Sequence, residues 1–256
     1  MSHTLILTQL LLAHILTDFV IQSNKWVEKK KEKGLRSGYF WLHVLLSGVL
    51  TYLILMQWTN WIVPLFILIT HGLIDLWKVN KEQQLDAINK NIKDKTDKQS
   101  GTGYFFTDQL LHLVTIILAW LYVTDNFSQV LPFVLNIFTD EKSLTILTAI
   151  ILIIWPAGMA IGKITEPFRK EISTADSLRN AGTYIGISER ILVFIFILSG
   201  QYAAIGFLIA GKSILRVSRD NDEDARKKTE YVLIGTLISF TAAIIIGLLT
   251  KYMINH

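Results

Sequence analysis

The sequence predicts an all-α protein, a polytopic membrane helical bundle of about six full spans plus a broken or re-entrant helical hairpin. Three observations carry that expectation. Of the 256 residues 51% are hydrophobic, and the mean hydropathy is +0.41, more than a soluble domain needs to fill its core. Apolar runs long enough to cross a hydrocarbon layer of about 30 Å lie near 4–23, 38–57, 60–79, 104–124, 144–162, 185–215 and 231–250. Twenty-two of the 25 Lys and Arg fall in four intervening segments, 24–37, 78–103, 163–184 and 212–230. A helix satisfies its own backbone where water is absent, which makes helices the expected spans, and no β-barrel alternation is visible.

The first run has no basic leader and no small-residue cleavage site, so it reads as a retained span rather than a signal peptide. If the four basic segments face the cytoplasm, the charge rule places the N-terminus outside, with the protein in the bacterial cytoplasmic (inner) membrane. Those segments then touch anionic lipid, and membrane lipid is the expected partner. No nucleic-acid module is present and no nucleic acid is expected. There is no cysteine, which excludes disulfides, thiolate catalysis and cysteine-bound metal.

Trp58-Thr59-Asn60-Trp61 reads as an interfacial turn joining the second and third spans. The polar stretch 80–103 reads as a partly helical loop ending in a flexible Ser100-Gly101-Thr102-Gly103. The chain divides into a His/Asp-containing four-helix membrane bundle, 1–124, and a C-terminal helical region, 125–256. In the second region Pro156 and Pro167 are expected to kink or end helices. Gly158-x-x-x-Gly162 and Gly182-x-x-x-Gly186 read as close-packing sites. The run 185–215 is interrupted at Ser199-Gly200-Gln201 and has cations at both ends, so it is expected to return to the side from which it starts.

The spans carry an unusual polar set. His14 precedes Asp18 and His71 precedes Asp75, while Asp108 precedes His112, in each case by four residues and therefore on one helix face. His43 has Ser47 one turn on. Helices 1 and 3 run inward with their pairs near their inner ends, and helices 2 and 4 run outward with theirs near their starts. All seven groups thus share one depth, in the cytoplasmic half of the membrane. His14-x-x-x-Asp18 followed by His43 also parallels His71-x-x-x-Asp75 followed by His112, a weak repeat of two hairpins. Ionisable groups inside a bilayer cost several kcal/mol unless partnered.

Imidazole and carboxylate together suit a divalent metal, Zn first, with Fe or Mn as alternatives. The expected ligands are His14, Asp18, His43, His71, Asp75, Asp108 and His112, with Asp108 also a bridge or general base. Gln22 and Gln109 are expected to support them from behind. In the C-terminal region Arg190, Lys212 and Arg216 are expected to hold substrate anions, backed by Glu189 and Glu230; the alternative is buried Glu189 and Glu230 pairs with Arg190 and Lys212.

The motifs His14-x-x-x-Asp18-Phe19-x-x-Gln22, His71-Gly72-x-x-Asp75 and Asp108-Gln109-x-x-His112, with "GTYIGISERILVF" (182–194), "GFLIAGKSILR" (206–216) and "EYVLIGTLIS" (230–239), give the chain its resemblance to a family. It resembles the bacterial membrane proteins called domain of unknown function 3307 (DUF3307). That resemblance implies a multi-span prokaryotic membrane protein and brings no chemistry of its own. The His/Asp pattern is more loosely similar to predicted membrane-bound metal-dependent hydrolases.

The leading expectation is a membrane-embedded metal-dependent hydrolase acting on a lipid-like or phosphate-bearing substrate from the cytoplasmic leaflet. A metal-ion or proton-coupled transporter is the first alternative. A membrane sensor or assembly protein with a purely structural polar layer is the second.

Overall fold

The computed structural model describes residues 2–92, 98–171, 181–214 and 223–256; Arg216, one of the expected anion-binding residues, lies outside the described residues. Every element among the described residues is helical. Seven helices are long and apolar enough to cross a membrane, and the chain is a multi-pass membrane protein. The side chains agree. On α3 (Gly38–Leu55), Trp41, Leu45, Val49 and Leu53 recur every fourth residue and are exposed, while His43, Ser47 and Thr51 are buried on the opposite face. An apolar stripe turned outward and a polar one turned inward suit a hydrocarbon solvent and no aqueous one.

The chain forms two compact units, Met1–Val130 and Leu131–His256. The first holds α1 (His3–Ile15), α2 (Asn24–Lys33), α3, α4 (Ile62–Lys90) and α5 (Thr102–Thr124). At one end of this unit Ile6, Leu10, Leu55, Val63, Ile67, Ile116 and Ala119 make an apolar core. The His3 carbonyl accepts from Trp120 Nε1 there at 2.8 Å, tying α1 to α5. Helices α3 and α4 approach closely because a Cβ at Gly48 would meet Leu68 Cδ1 at 2.9 Å. Their junction is the expected tryptophan-flanked turn, with Met56 in the left-handed region at φ 54°.

Two features of this unit depart from the sequence reading. The stretch 80–103 is less of a loop than expected, since α4 continues without a break to Lys90 and Thr102 already begins α5. The basic segment after the first span is the helix α2, which lies on this extension of α4: Gln83 Nε2 donates to the Lys31 carbonyl at 2.7 Å and Lys31 pairs with Asp86 at 2.7 Å.

The second unit is built on α7 (Glu141–Ile154), α8 (Pro156–Ile164), α10 (Ala181–Leu198), α11 (Tyr202–Ile214) and α12 (Glu223–Asn255). The short helix α6 (Phe127–Thr139) carries the junction between the units, and α9 (Glu166–Arg169) follows α8. The core of the second unit gathers Val193, Ile197, Ile205, Phe240 and Ala243, with Ala149, Ile153 and Phe194 beside them.

The span Glu141–Ile164 breaks at Trp155, as Pro156 requires, because a proline nitrogen has no hydrogen to donate. The interruption expected at Ser199-Gly200-Gln201 is a tight turn with Gly200 at φ 73°. The arm before it is longer than a re-entrant half-helix: Ala181–Leu198 has 18 residues, roughly 27 Å at 1.5 Å per residue, enough to span. The arm after it folds back, so that Lys212 near the end of α11 pairs with Glu189 in the middle of α10.

Candidate metal centre

The seven expected ligands share one layer because helix geometry puts each pair on one face and depth brings the faces level. The structure brings all seven into the interior of the first unit. His43 and Asp108 are fully buried, and His71, Asp75 and His112 nearly so. The ring centroids of His71 and His112 lie 4.3 Å apart, those of His43 and His71 4.8 Å, and those of His14 and His112 4.9 Å.

Asp18 reaches the layer from an irregular turn. The first span leaves the α-helical pattern after Ile15, and Leu16–Ile21 form a π-helical turn. The wider turn leaves Phe19 and Val20 exposed while Asp18 stays inside, 3.4 Å from His71 Nε2 and 3.5 Å from His43 Nε2 through Oδ1. Such turns inside α-helices occur frequently at functional sites. Gln22 therefore follows the helix rather than continuing its face.

Three groups of side chains offer donor atoms that all lie within 4.8 Å of one another: His14, His71 and His112; Asp18, His43 and His71; and Asp18, Asp108 and His112. Several of these donors are unsatisfied. Asp18 Oδ1, Asp108 Oδ1, His112 Nε2 and His43 Nδ1 are buried atoms without a hydrogen-bond partner. A buried carboxylate oxygen without a partner is expensive, and three unsatisfied atoms belonging to one donor group point to a cation among them.

Two of the other carboxylate oxygens, on Asp75 and Asp108, are held by cations that sequence reasoning did not assign to the site. Lys30 enters from α2 and donates to Asp75 Oδ2 at 2.6 Å and to Gln22 Oε1 at 2.8 Å. Lys78, one turn beyond Asp75 on α4, donates to Asp108 Oδ2 at 2.8 Å. Asp75 is thus taken by Lys30, although its Oδ2 also lies 3.3 Å from His43 Nε2. Gln109 Oε1 lies 3.4 Å from His14 Nε2, and Gln109 Nε2 donates to Asp108 Oδ2 at 3.0 Å. Gln109 thus touches two of the seven expected ligands, His14 and Asp108, whereas Gln22 reaches Lys30 and none of the seven. Lys78 had a signal, its spacing from Asp75. Lys30 had none, since it stands in an unbroken run, Lys29-Lys30-Lys31.

Opposite α2, a pocket lined by His14, His71 and His112 continues past Thr17, Ser47, Thr51 and Thr115 to Leu10, Ile67 and Ile116. The four hydroxyls donate to carbonyls of their own helices, Thr17 to Ala13, Ser47 to Val44, Thr51 to Ser47 and Thr115 to His112. With their hydrogens so used, they present acceptor lone pairs to the pocket.

The C-terminal residues find partners within the second unit. Arg190 Nε donates to the Ile153 carbonyl at 2.8 Å, and its terminal nitrogens to the Ile154 carbonyl at 3.5 Å and to Ser239 Oγ at 3.4 Å. These carbonyls sit at the break before Pro156, so the guanidinium satisfies backbone that the break exposes. Gly158 and Gly186 make room for it, since Cβ atoms there would meet its nitrogens at 3.0 and 3.1 Å. Gly162 and Gly182, their partners in the expected close-packing motifs, have nothing within 4 Å. Lys212 pairs with Glu189, and Glu230 pairs with the exposed Arg226 at 3.2 Å. The expected pairing is thus half realised: Glu189 neutralises Lys212, whereas Arg190 is met by carbonyls.

Neither a curated protein nor a solved structure matches the chain. One family model does, and it covers residues 6–139, a stretch more than half the chain long that includes the whole His/Asp cluster together with Lys30 and Lys78. The chain belongs to the family described as protein of unknown function (DUF3307).

Proposed function

We propose that the protein is a membrane-embedded metal-dependent hydrolase whose centre is the His/Asp cluster of the first unit. One observation carries the reading: Asp18 Oδ1, Asp108 Oδ1 and His112 Nε2 are buried, lack partners and belong to one donor group, with His14 and His71 alongside. Charge supports it. Lys30 neutralises Asp75 and Lys78 neutralises Asp108, while among the described residues no Lys or Arg pairs with Asp18. His14, Asp18, Asp108 and His112 would hold a divalent ion, Zn first by the mixture of imidazole and carboxylate, which would supply that charge and lower the pKa of a bound water toward neutrality.

Lys78 and Gln109 fix Asp108 Oδ2, so Asp108 would act through Oδ1, either as a ligand of the ion or, left free of it, as the general base. Lys78 keeps part of its side chain exposed at the α2 side of the centre and is suited to meet a substrate anion there. The basic segments on that side put it at the cytoplasmic leaflet of a bacterial inner membrane by the charge rule, with the N-terminus outside. The substrate class is then a lipid-like or phosphate-bearing molecule drawn from that leaflet.

The test is elemental analysis of the full chain purified in detergent, beside His71→Ala and His112→Ala. The wild type is expected to carry Zn, Fe or Mn, and each variant to lose it while keeping its helical circular dichroism. Hydrolysis of p-nitrophenyl phosphate is expected to stop with chelator and return with Zn. Full metal occupancy in both folded variants overturns the reading.

The hydroxyl-lined pocket favours one other reading, a carrier of metal ions or protons in which the centre is a transit site. Uptake of Zn by liposomes holding the protein, with no phosphate ester cleaved, decides for the carrier.

A further inference from the structure

We infer that the centre holds two divalent ions bridged by Asp18; the inference rests on the metal-centre reading above and deepens it. The first argument is donor number. Four imidazoles and two carboxylate oxygens free of partners, Asp18 Oδ1 and Asp108 Oδ1, converge in one layer, more than a four-coordinate ion uses. A single ion among Asp18, Asp108 and His112 would leave the imidazoles of His43 and His71 with each other as partners and without a metal.

The second argument is how the donors divide. Asp18, His43 and His71 form one group, and Asp18, Asp108 and His112 another, with Asp18 common to both; the third group, His14, His71 and His112, takes one imidazole from each. In the first group the separations are 2.9 Å between the imidazole Nε2 atoms and 3.4 and 3.5 Å from these to Asp18 Oδ1. Ligands of a tetrahedral ion with bonds of about 2.1 Å stand about 3.4 Å apart, so the two distances to Asp18 Oδ1 fit one ion, and the hydrogen bond between the two imidazoles would open by about 0.5 Å to admit it. In the second, Asp108 Oδ1 and His112 Nε2 are 3.5 Å apart, the same spacing, and His14 lies beside His112, in donor range of His71 as well. Asp18 Oδ1 faces His43 and His71, so bridging would need the second oxygen of the same carboxylate to turn to Asp108 and His112; two-ion sites hold their ions about 3.5–4 Å apart.

The third argument is the turn that delivers Asp18. The bridging group has to sit between the two imidazole sets, and Asp18 is the one member of the cluster carried by a π-helical turn rather than by an α-helix.

Two dications against three carboxylates and two lysines leave a surplus of positive charge inside the first unit. A bridging hydroxide and an anionic substrate reduce it, so the arrangement selects phosphate esters over neutral lipids such as acylglycerols.

The experiment is metal stoichiometry of the full chain in detergent after loading with Zn and removal of the excess, together with electron paramagnetic resonance of the Mn-loaded protein. Two ions per chain and a spin-coupled Mn signal are expected. His43→Ala, which strips only the first group, and Asp108→Asn, which strips only the second, are each expected to hold one ion and to lose the coupling. One ion per wild-type chain with an uncoupled Mn spectrum overturns the two-ion inference and leaves the metal centre standing. No bound metal overturns both. The wild-type measurements need no variant, so a variant that fails to fold does not protect the inference.

Discussion

Lys30 and Lys31 are neighbours in one basic run, and the structure assigns them opposite worth. Lys30 is buried with Asp75, the pair's side chains being 5% and 4% exposed, and it has Gln22 as a second acceptor. Lys31 pairs with Asp86 at nearly the same distance, but those side chains are 35% and 49% exposed. Breaking a buried pair from one side leaves an uncompensated charge and costs about 3–5 kcal/mol. Losing an exposed pair costs about 0–1 kcal/mol, since water and salt already screen it.

Lys30→Met is therefore expected to destabilise the protein several-fold more than Lys31→Met, measured by chemical unfolding in detergent after chelator treatment so that metal loss is not counted. Asp75→Asn in the Lys30→Met background should recover part of the loss, because the orphaned charge is gone, with a coupling of about 2 kcal/mol or more. Equal effects for the two lysines, or additivity of Lys30→Met and Asp75→Asn, would refute the assignment of Lys30 to the interior.

Arg190→Leu leaves the Ile153 and Ile154 carbonyls without their donor at the helix break, and a loss of about 1–3 kcal/mol is expected, with faster amide exchange in α7 and α8; unchanged exchange there would show that the guanidinium does not hold the break. Gly247→Val places a Cβ 2.9 Å from Ile197 Cδ1 where α12 crosses α10, so overpacking should cost about 1–3 kcal/mol by the same unfolding assay, whereas a neutral result would mean the helices are not packed that closely. Asp140 caps α7 by accepting from the Ser143 amide at 2.8 Å, and this bond holds its carboxyl below the ordinary carboxylate range. A lowered folded-state pKa gives stability that is complete above the unfolded-state pKa and lost as pH falls through the folded one. Exchange of the Ser143 amide should therefore accelerate on acidification below about pH 4 in the wild type and show no such step in Asp140→Asn.

Much of the bundle was legible because hydrocarbon imposes simple rules on sequence. Span length, helical spacing and the depth of each ionisable residue are one-dimensional properties, and they suffice to set His14, Asp18, His43, His71, Asp75, Asp108 and His112 at one depth without reference to packing. The break at Ser199-Gly200-Gln201 and the end of α7 before Pro156 were equally local, set by a missing Cβ and a missing hydrogen. The span length of α10 was readable too, but cations at both ends of 185–215 argued for two short arms, while the fold-back after Gly200 keeps Lys212 beside Glu189 with a full first arm.

Other features were decided only by which faces meet. Nothing in Lys29-Lys30-Lys31 marks the middle residue for the interior; only the docking of α2 on α4 does. The carbonyls that Arg190 meets at the broken α7–α8 span lie more than thirty residues away in sequence, so no local pattern announces them. That Asp18 belongs to two of the three donor groups depends on a π-helical turn that departs from α-helical spacing. Sequence sets what each helix presents and at what depth, whereas ion pairing, helix-break capping and donor grouping are distances between separate helices, and those exist only once the helices have packed.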